Sequence, residues 1–147
     1  MNALELLKQD HQKVKELFEQ AEDSEAGTEQ KRLFRQIKTE LETHARIEEA
    51  VFYPAMQKHQ ELKEMVREAL EEHNQVKSLL KEMENLVDDS EKFESKLQTL
   101  MENVEHHAED EEEGKMFPKV REIVDGATLE KLGQELEAAK GKTGKAA

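Results

Sequence analysis

The sequence predicts an all-α protein: an antiparallel up-down-up-down four-helix bundle followed by a short C-terminal helix. Three observations predict it. Charged residues make up 39% of the 147 positions and aromatics 4%, with six glycines and two prolines, a balance that favours helices with wet outer faces over a sheet. Apolar residues recur at alternating steps of three and four in four successive blocks, the pattern of helices that each bury one stripe. The two halves of the chain also echo each other. DHQKVKELFEQ (10–20) resembles EHNQVKSLLKE (72–82), and THARIEEAVFYP (43–54) resembles HHAEDEEEGKMFP (106–118), as two helix hairpins of one bundle would.

In the first block the stripe is Leu4, Leu7, His11, Val14, Phe18, Ala21. Gly27 and Thr28 read as stop and cap before the second stripe, Phe34, Ile37, Leu41, His44, Glu48, Val51, Ala55. A third stripe follows: Leu62, Val66, Ala69, His73, Val76, Leu80, Met83, Val87. The DDS turn, with Asp89 or Ser90 as cap, leads to the fourth, Phe93, Leu97, Leu100, Val104, His107, Glu111. After Pro118 the pattern resumes in VREIV, and Gly126 with Thr128 marks a restart into TLEKLGQELEAA. The expected organisation is a bundle over residues 1–125, then a short helix and flexible tail over 126–147. The GKT in that tail lacks the upstream glycine of a phosphate-binding loop.

A formal charge of −13 argues against nucleic-acid or anionic-membrane partners, which require clustered lysine and arginine. Without cysteine there is no disulfide frame, thiolate nucleophile or sulfur-ligated metal. No apolar run approaches the roughly 20 residues of a membrane span, and the N-terminus has no basic segment leading into an apolar one, so a cytoplasmic location is the expectation.

Six polar residues interrupt the apolar seam: His11, His44, Glu48, His73, His107 and Glu111. Each helix contributes one histidine, and the second and fourth add a glutamate four residues later, on the same face. Counted from the turns, the four histidines lie within about one helical turn of a common level, at ~1.5 Å rise per residue. Facing carboxylates in a core repel unless a cation lies between them. Imidazole and carboxylate donors without sulfur suit iron, manganese or zinc, and paired carboxylates suit two ions sharing bridges.

These residues resemble the hemerythrin family, in its bacterial branch the HHE cation-binding domain. The resemblance runs over about residues 1–120 and is carried by Asp10–His11, HARIEEAVFYP from His44, Glu72–His73 and HAEDEEEGKMFP from His107. It implies a four-helix bundle around a non-haem di-iron centre with an oxo or hydroxo bridge. His11, His44, His73 and His107 would be terminal ligands, with Glu48 and Glu111 as bridging carboxylates. The family's oxygen carriers have a fifth histidine one turn after that of the third helix; here the position is Lys77. Water, Glu49 or Glu112 are the candidates to fill it, although both glutamates are expected mainly as solvated or supporting residues. Tyr53 is expected to pack at the bundle end or to serve as a supporting phenol, and His59 and His106 to lie on the surface.

The leading functional expectation is a protein that binds dioxygen, or senses oxygen, peroxide or nitric oxide, at a carboxylate-bridged iron centre. Alternatives are a di-iron oxidase or peroxidase, an iron-handling protein, or a metal-free helical interaction module.

Overall fold

The structure, a computed structural model, describes residues 1–24, 27–86 and 90–146. Helix α1 (Ala3–Asp23) opens with a reciprocal cap: Glu5 N–H donates to Asn2 Oδ1 at 2.9 Å, and Asn2 N–H donates to Glu5 Oε1 at 3.1 Å. Two otherwise orphaned donors are thereby satisfied. Helix α2 (Thr28–Ile47) passes through a π-helical segment (Glu48–Phe52) into α3 (Tyr53–Met56). A 3₁₀ turn (Gln60–Leu62) leads to α4 (Lys63–Glu84). Helix α5 (Ser90–Glu105) continues through a second π segment (His106–Met116) into α6 (Phe117–Ile123), and α7 (Gly126–Ala146) closes the chain. Four antiparallel rods result, the second and fourth each carrying a π segment.

Chain punctuation departs from expectation at two turns: Gly126, read as a stop, instead opens α7, where Thr128 N–H donates to Asp125 Oδ1 at 2.8 Å, and the turn before α2 differs as well. Thr28 opens α2 rather than capping it, and Gly27 takes the cap position at φ 120° without a side-chain bond, a conformation open to glycine because it has no Cβ. The Asp89 cap and the Val87 stripe position lie outside the described residues.

The core has two apolar parts. One gathers Leu4, Leu7, Phe52, Met56, Leu62, Val66, Phe117 and Val120 with Leu129, Leu132 and Leu136 of α7. The other gathers Val14, Phe18, Phe34, Ile37, Leu80, Met83, Phe93, Leu97 and Leu100. In α1 the first set ends at Leu7 and the second begins at Val14, so the level of His11 separates them. A polar layer therefore divides the bundle core.

Helix α7 is longer than the short piece expected and packs on α1, α2 and the first π segment. It explains why Ala3 and Leu6, off the first stripe, are buried. The backbones meet closely: a Cβ on Gly133 would come within 2.3 Å of the Met1 carbonyl oxygen. No helix among the described residues is long and apolar enough to cross a membrane.

The π segments change which residues face inward. A π turn closes i→i+5 bonds and advances the buried face by one residue relative to an α-helix. The N–H of Tyr53 donates to the Glu48 carbonyl, and that of Phe117 to the Glu112 carbonyl. Each register change ends one residue ahead of a proline, Pro54 or Pro118, which has no N–H and crowds the carbonyl four residues back. Consequently Phe52 and Met56 are buried, whereas the expected Val51 and Ala55 only flank the core.

Candidate metal centre

Four imidazoles converge in the polar layer, one from each rod, and each is held from behind by a carboxylate of a neighbouring rod. His11 Nδ1–H donates to Glu113 Oε2 at 2.6 Å and His44 Nδ1–H to Asp10 Oδ2 at 3.0 Å. His73 Nδ1–H donates to Glu49 Oε2 at 2.8 Å and His107 Nδ1–H to Glu72 Oε1 at 2.6 Å. A carboxylate only accepts, so each Nδ1 carries the proton and each Nε2 is directed inward. The four bonds form a closed ring through all four rods, fixing every imidazole by a residue of another helix.

Inside the ring stand two glutamates. Glu48 Oε1 lies 3.0 Å from His44 Nε2 and 3.1 Å from His73 Nε2. Glu112 places Oε1 3.0 Å from His11 Nε2 and Oε2 3.5 Å from His107 Nε2. Each carboxylate thus faces one histidine of each pair. Two compact ligand groups can be drawn, His11–His44–Glu112 and Glu48–His73–His107, with the ligand atoms of each within 4.8 Å of one another.

Glu111, the expected fourth-rod ligand, turns outward. Its carboxylate lies 3.4 Å from His106 Nε2 and 3.3 Å from Lys115 Nζ, beside Glu72 on the surface. Glu112 takes the inner place and is fully buried. The reason is the π register, since five residues rather than four bring the chain from His107 back to the same face. The other five expected residues are brought together. Glu49, Glu72, Asp10 and Glu113 are the supporting carboxylates, and of the two candidate replacements for a fifth histidine, Glu49 sits behind His73 while Glu112 enters the centre. Lys77 turns to Glu49, with Nζ 3.1 and 3.0 Å from its two oxygens. His106 is exposed, as expected.

Tyr53 does pack, with almost no exposure, but its hydroxyl also reaches the centre. It donates to Glu112 Oε2 and lies 3.3 Å from His73 Nε2 and 3.4 Å from His107 Nε2. At the matching place in the other half Phe117 lies parallel to the His11 ring, centroids 6.2 Å apart. A hydroxyl on one side only breaks the internal symmetry.

The buried imidazoles and carboxylates shift one another's titration. Burial works against the charged form of His44, but the Glu48 carboxylate and the Asp10 hydrogen bond outweigh it and hold its pKa well above the ordinary value. Burial alone would push Glu48 up; the His44 charge and the His73 hydrogen bond hold it well below. His11 and His73 are desolvated too, yet their glutamate partners raise both. Burial, then the Glu112 and Glu48 charges, push the Tyr53 phenol well up, so it keeps its proton.

The residues fit metal ions on two counts. Among the described residues, the buried side-chain atoms without a hydrogen-bond partner are His44 Nε2 and Glu48 Oε2, both facing the centre; the 3.0 Å approach of His44 to Glu48 is not aligned for a hydrogen bond. His73 Nε2 and His107 Nε2 stand 3.2 Å apart, an arrangement a shared cation relieves. Charge agrees as well. Six carboxylates surround four imidazoles, with Lys77 and Lys140 outside, and divalent ions would offset that negative charge.

On the side of the imidazoles away from the glutamates is an apolar cavity of about 40 Å³. Val14, Leu41, Ala45, Val76, Leu80, Val104 and Ala108 line it with the four histidines and with Asp10, Glu42 and Lys77, and neither Glu48, Glu112 nor Tyr53 does.

The model of the Hemerythrin HHE cation binding domain family matches residues 2–120. A crystal structure of a hemerythrin HHE cation-binding domain-containing protein from Mycobacterium kansasii superposes with a TM-score of 0.86 at 30% identity, covering 97% of this chain and 87% of that one. A Nostoc protein named DNA nickase is 28% identical over 142 residues; the match takes in 97% of this chain but only 40% of that longer protein.

Proposed function

The chain belongs to the hemerythrin HHE cation-binding domain family, and from that premise we propose that it holds a pair of non-haem iron ions that meet dioxygen, peroxide or another small diatomic ligand. The observation that carries the reading is the pair of buried glutamates, Glu48 and Glu112, each facing a histidine of both groups. His11 and His44 would hold one ion and His73 and His107 the other, with the glutamates spanning both. Nitrogen and oxygen donors without sulfur favour iron, with manganese or zinc as competitors. Bound there, the metal pair would supply redox electrons; the protein supplies the rest. Glu49, Glu72, Asp10 and Glu113 fix the imidazoles and raise their basicity. The apolar cavity admits a small uncharged molecule and keeps bulk water from the histidine face. The test is metal analysis with an optical spectrum of protein reconstituted anaerobically with Fe(II), before and after oxygen. About two irons per chain with an oxygen-dependent spectrum are expected; no stoichiometric metal would refute the reading.

One observation favours turnover over reversible carriage. The Tyr53 phenol keeps its proton and aims it at Glu112 beside two of the imidazoles, where it would serve as a proton donor within the centre. Catalytic consumption of peroxide by the iron-loaded protein supports this second reading, and stable, reversible oxygenation without turnover counts against it. The acidic surface does not suit DNA, so the name of the Nostoc relative is not extended to this chain.

A further inference from the structure

The two halves of the centre differ at the Tyr53 hydroxyl, which faces His73 and His107, and again where α7 reaches in. Asp10, which holds His44, accepts a hydrogen bond on its other oxygen from Lys140 Nζ. Asp10 is buried and Lys140 partly so. Its counterpart, Glu72, holds His107 in the same way, but its second oxygen faces the exposed His106 ring at 3.5 Å. The remaining supporting carboxylates both have lysines near them: Glu49 pairs with Lys77, and Glu113 feels Lys8 and Lys15. Among the groups behind the supporting carboxylates, Lys140 is therefore what distinguishes the halves. It lies beyond the stretch matched by the family model, which ends at residue 120. The close approach at Gly133 and the contact of the Met1 amino group with Glu130 at 3.2 Å hold α7 against α1, so the lysine is carried by a docked helix.

Resting on the two-ion reading above, we propose that Lys140 is a positioning residue that makes the two ion sites unequal, weakening the His11–His44–Glu112 group relative to Glu48–His73–His107. A carboxylate behind a histidine pushes electron density to the metal-facing nitrogen, and a cation on that carboxylate withdraws part of it. The ammonium also repels the incoming ion directly.

Anaerobic titration with Co(II), followed by its visible absorption and by calorimetry, tests this. Wild type is expected to fill in two unequal steps, and His44→Ala to lose the weaker one. Lys140→Gln should tighten the weaker step by about tenfold and leave the stronger within about twofold, while Lys140→Arg keeps the wild-type pattern. Two steps unchanged in Lys140→Gln overturn the inference. So does a weaker step that weakens further, which would make the lysine only a clamp for α7, and so does loss of the stronger step in His44→Ala. A wild-type protein that takes up no Co(II) overturns the metal centre itself, and this inference with it.

Discussion

Glu48 and Glu112 each stand six residues ahead of a proline, Pro54 and Pro118, and each faces one histidine of both pairs. Their neighbours in sequence do not share this. Glu48→Ala and Glu112→Ala should therefore each cost at least one bound metal ion per chain, whereas Glu111→Ala should keep the wild-type content, because Glu111 pairs only with surface groups. Elemental analysis after anaerobic Fe(II) loading distinguishes these outcomes. Equal metal content in Glu111→Ala and Glu112→Ala, whether both full or both depleted, would contradict the assignment.

The displaced glutamate shows what was legible in the sequence. Period and repeat located the four rods, the four histidines and Glu48, because α-helical spacing holds from each apolar stripe through its histidine. Past His107 that spacing fails, since a π segment inserts one residue per turn and counting forward by four lands on Glu111. The signal was present in the repeat: the second half is one residue longer between histidine and proline, and counting back from Pro118 gives Glu112. The same alignment sets Tyr53 against Phe117, which marks the phenol as the odd member. No such register exists for Lys140, whose role depends on where α7 docks, and the Gly133 approach that sets the docking is a tertiary fact.

Tyr53→Phe removes one oxygen and leaves the packing in place. Both metal equivalents should be retained, since Tyr53 is not needed to complete either group. Peroxide consumption by the iron-loaded protein should fall by about tenfold to a hundredfold, the usual range for losing a placed proton donor. The metal-free protein should lose about 1 kcal/mol in urea unfolding, because the Glu112 oxygen keeps its burial but loses its donor. Unchanged turnover with full iron would reduce Tyr53 to a packing residue.

The cavity beside the histidines should control entry. Val76 lines it and is only partly buried, so Val76→Phe can fill the space with modest strain, about 1–3 kcal/mol at most. The variant should keep its metal while its reaction with dioxygen, followed by stopped-flow absorbance, slows at least about tenfold, a barrier of about 1.4 kcal/mol. A substitution of the same size at exposed Lys13, away from the cavity lining, serves as the control and should leave the rate unchanged. Equal rates in wild type and Val76→Phe would place the route elsewhere.

His44 and Glu48 together set how stability depends on pH. The His44 pKa is raised above 6.5 in the fold, so its contribution is complete below about pH 6.5 and disappears as pH rises through the folded value. Glu48 is depressed below 4.5, so its contribution is complete above about pH 4.5 and disappears as pH falls through its folded value. The metal-free protein should accordingly be most stable between about pH 4.5 and 6.5. Metal ions require the same Nε2 atoms without their protons, so their affinity rises with pH and loading releases protons. The gap in unfolding temperature between iron-loaded and chelator-treated protein should therefore widen from pH 6 to pH 8. Scanning calorimetry at the two pH values measures it, and a gap that stays constant or narrows would show that the ions do not compete for the imidazole nitrogens.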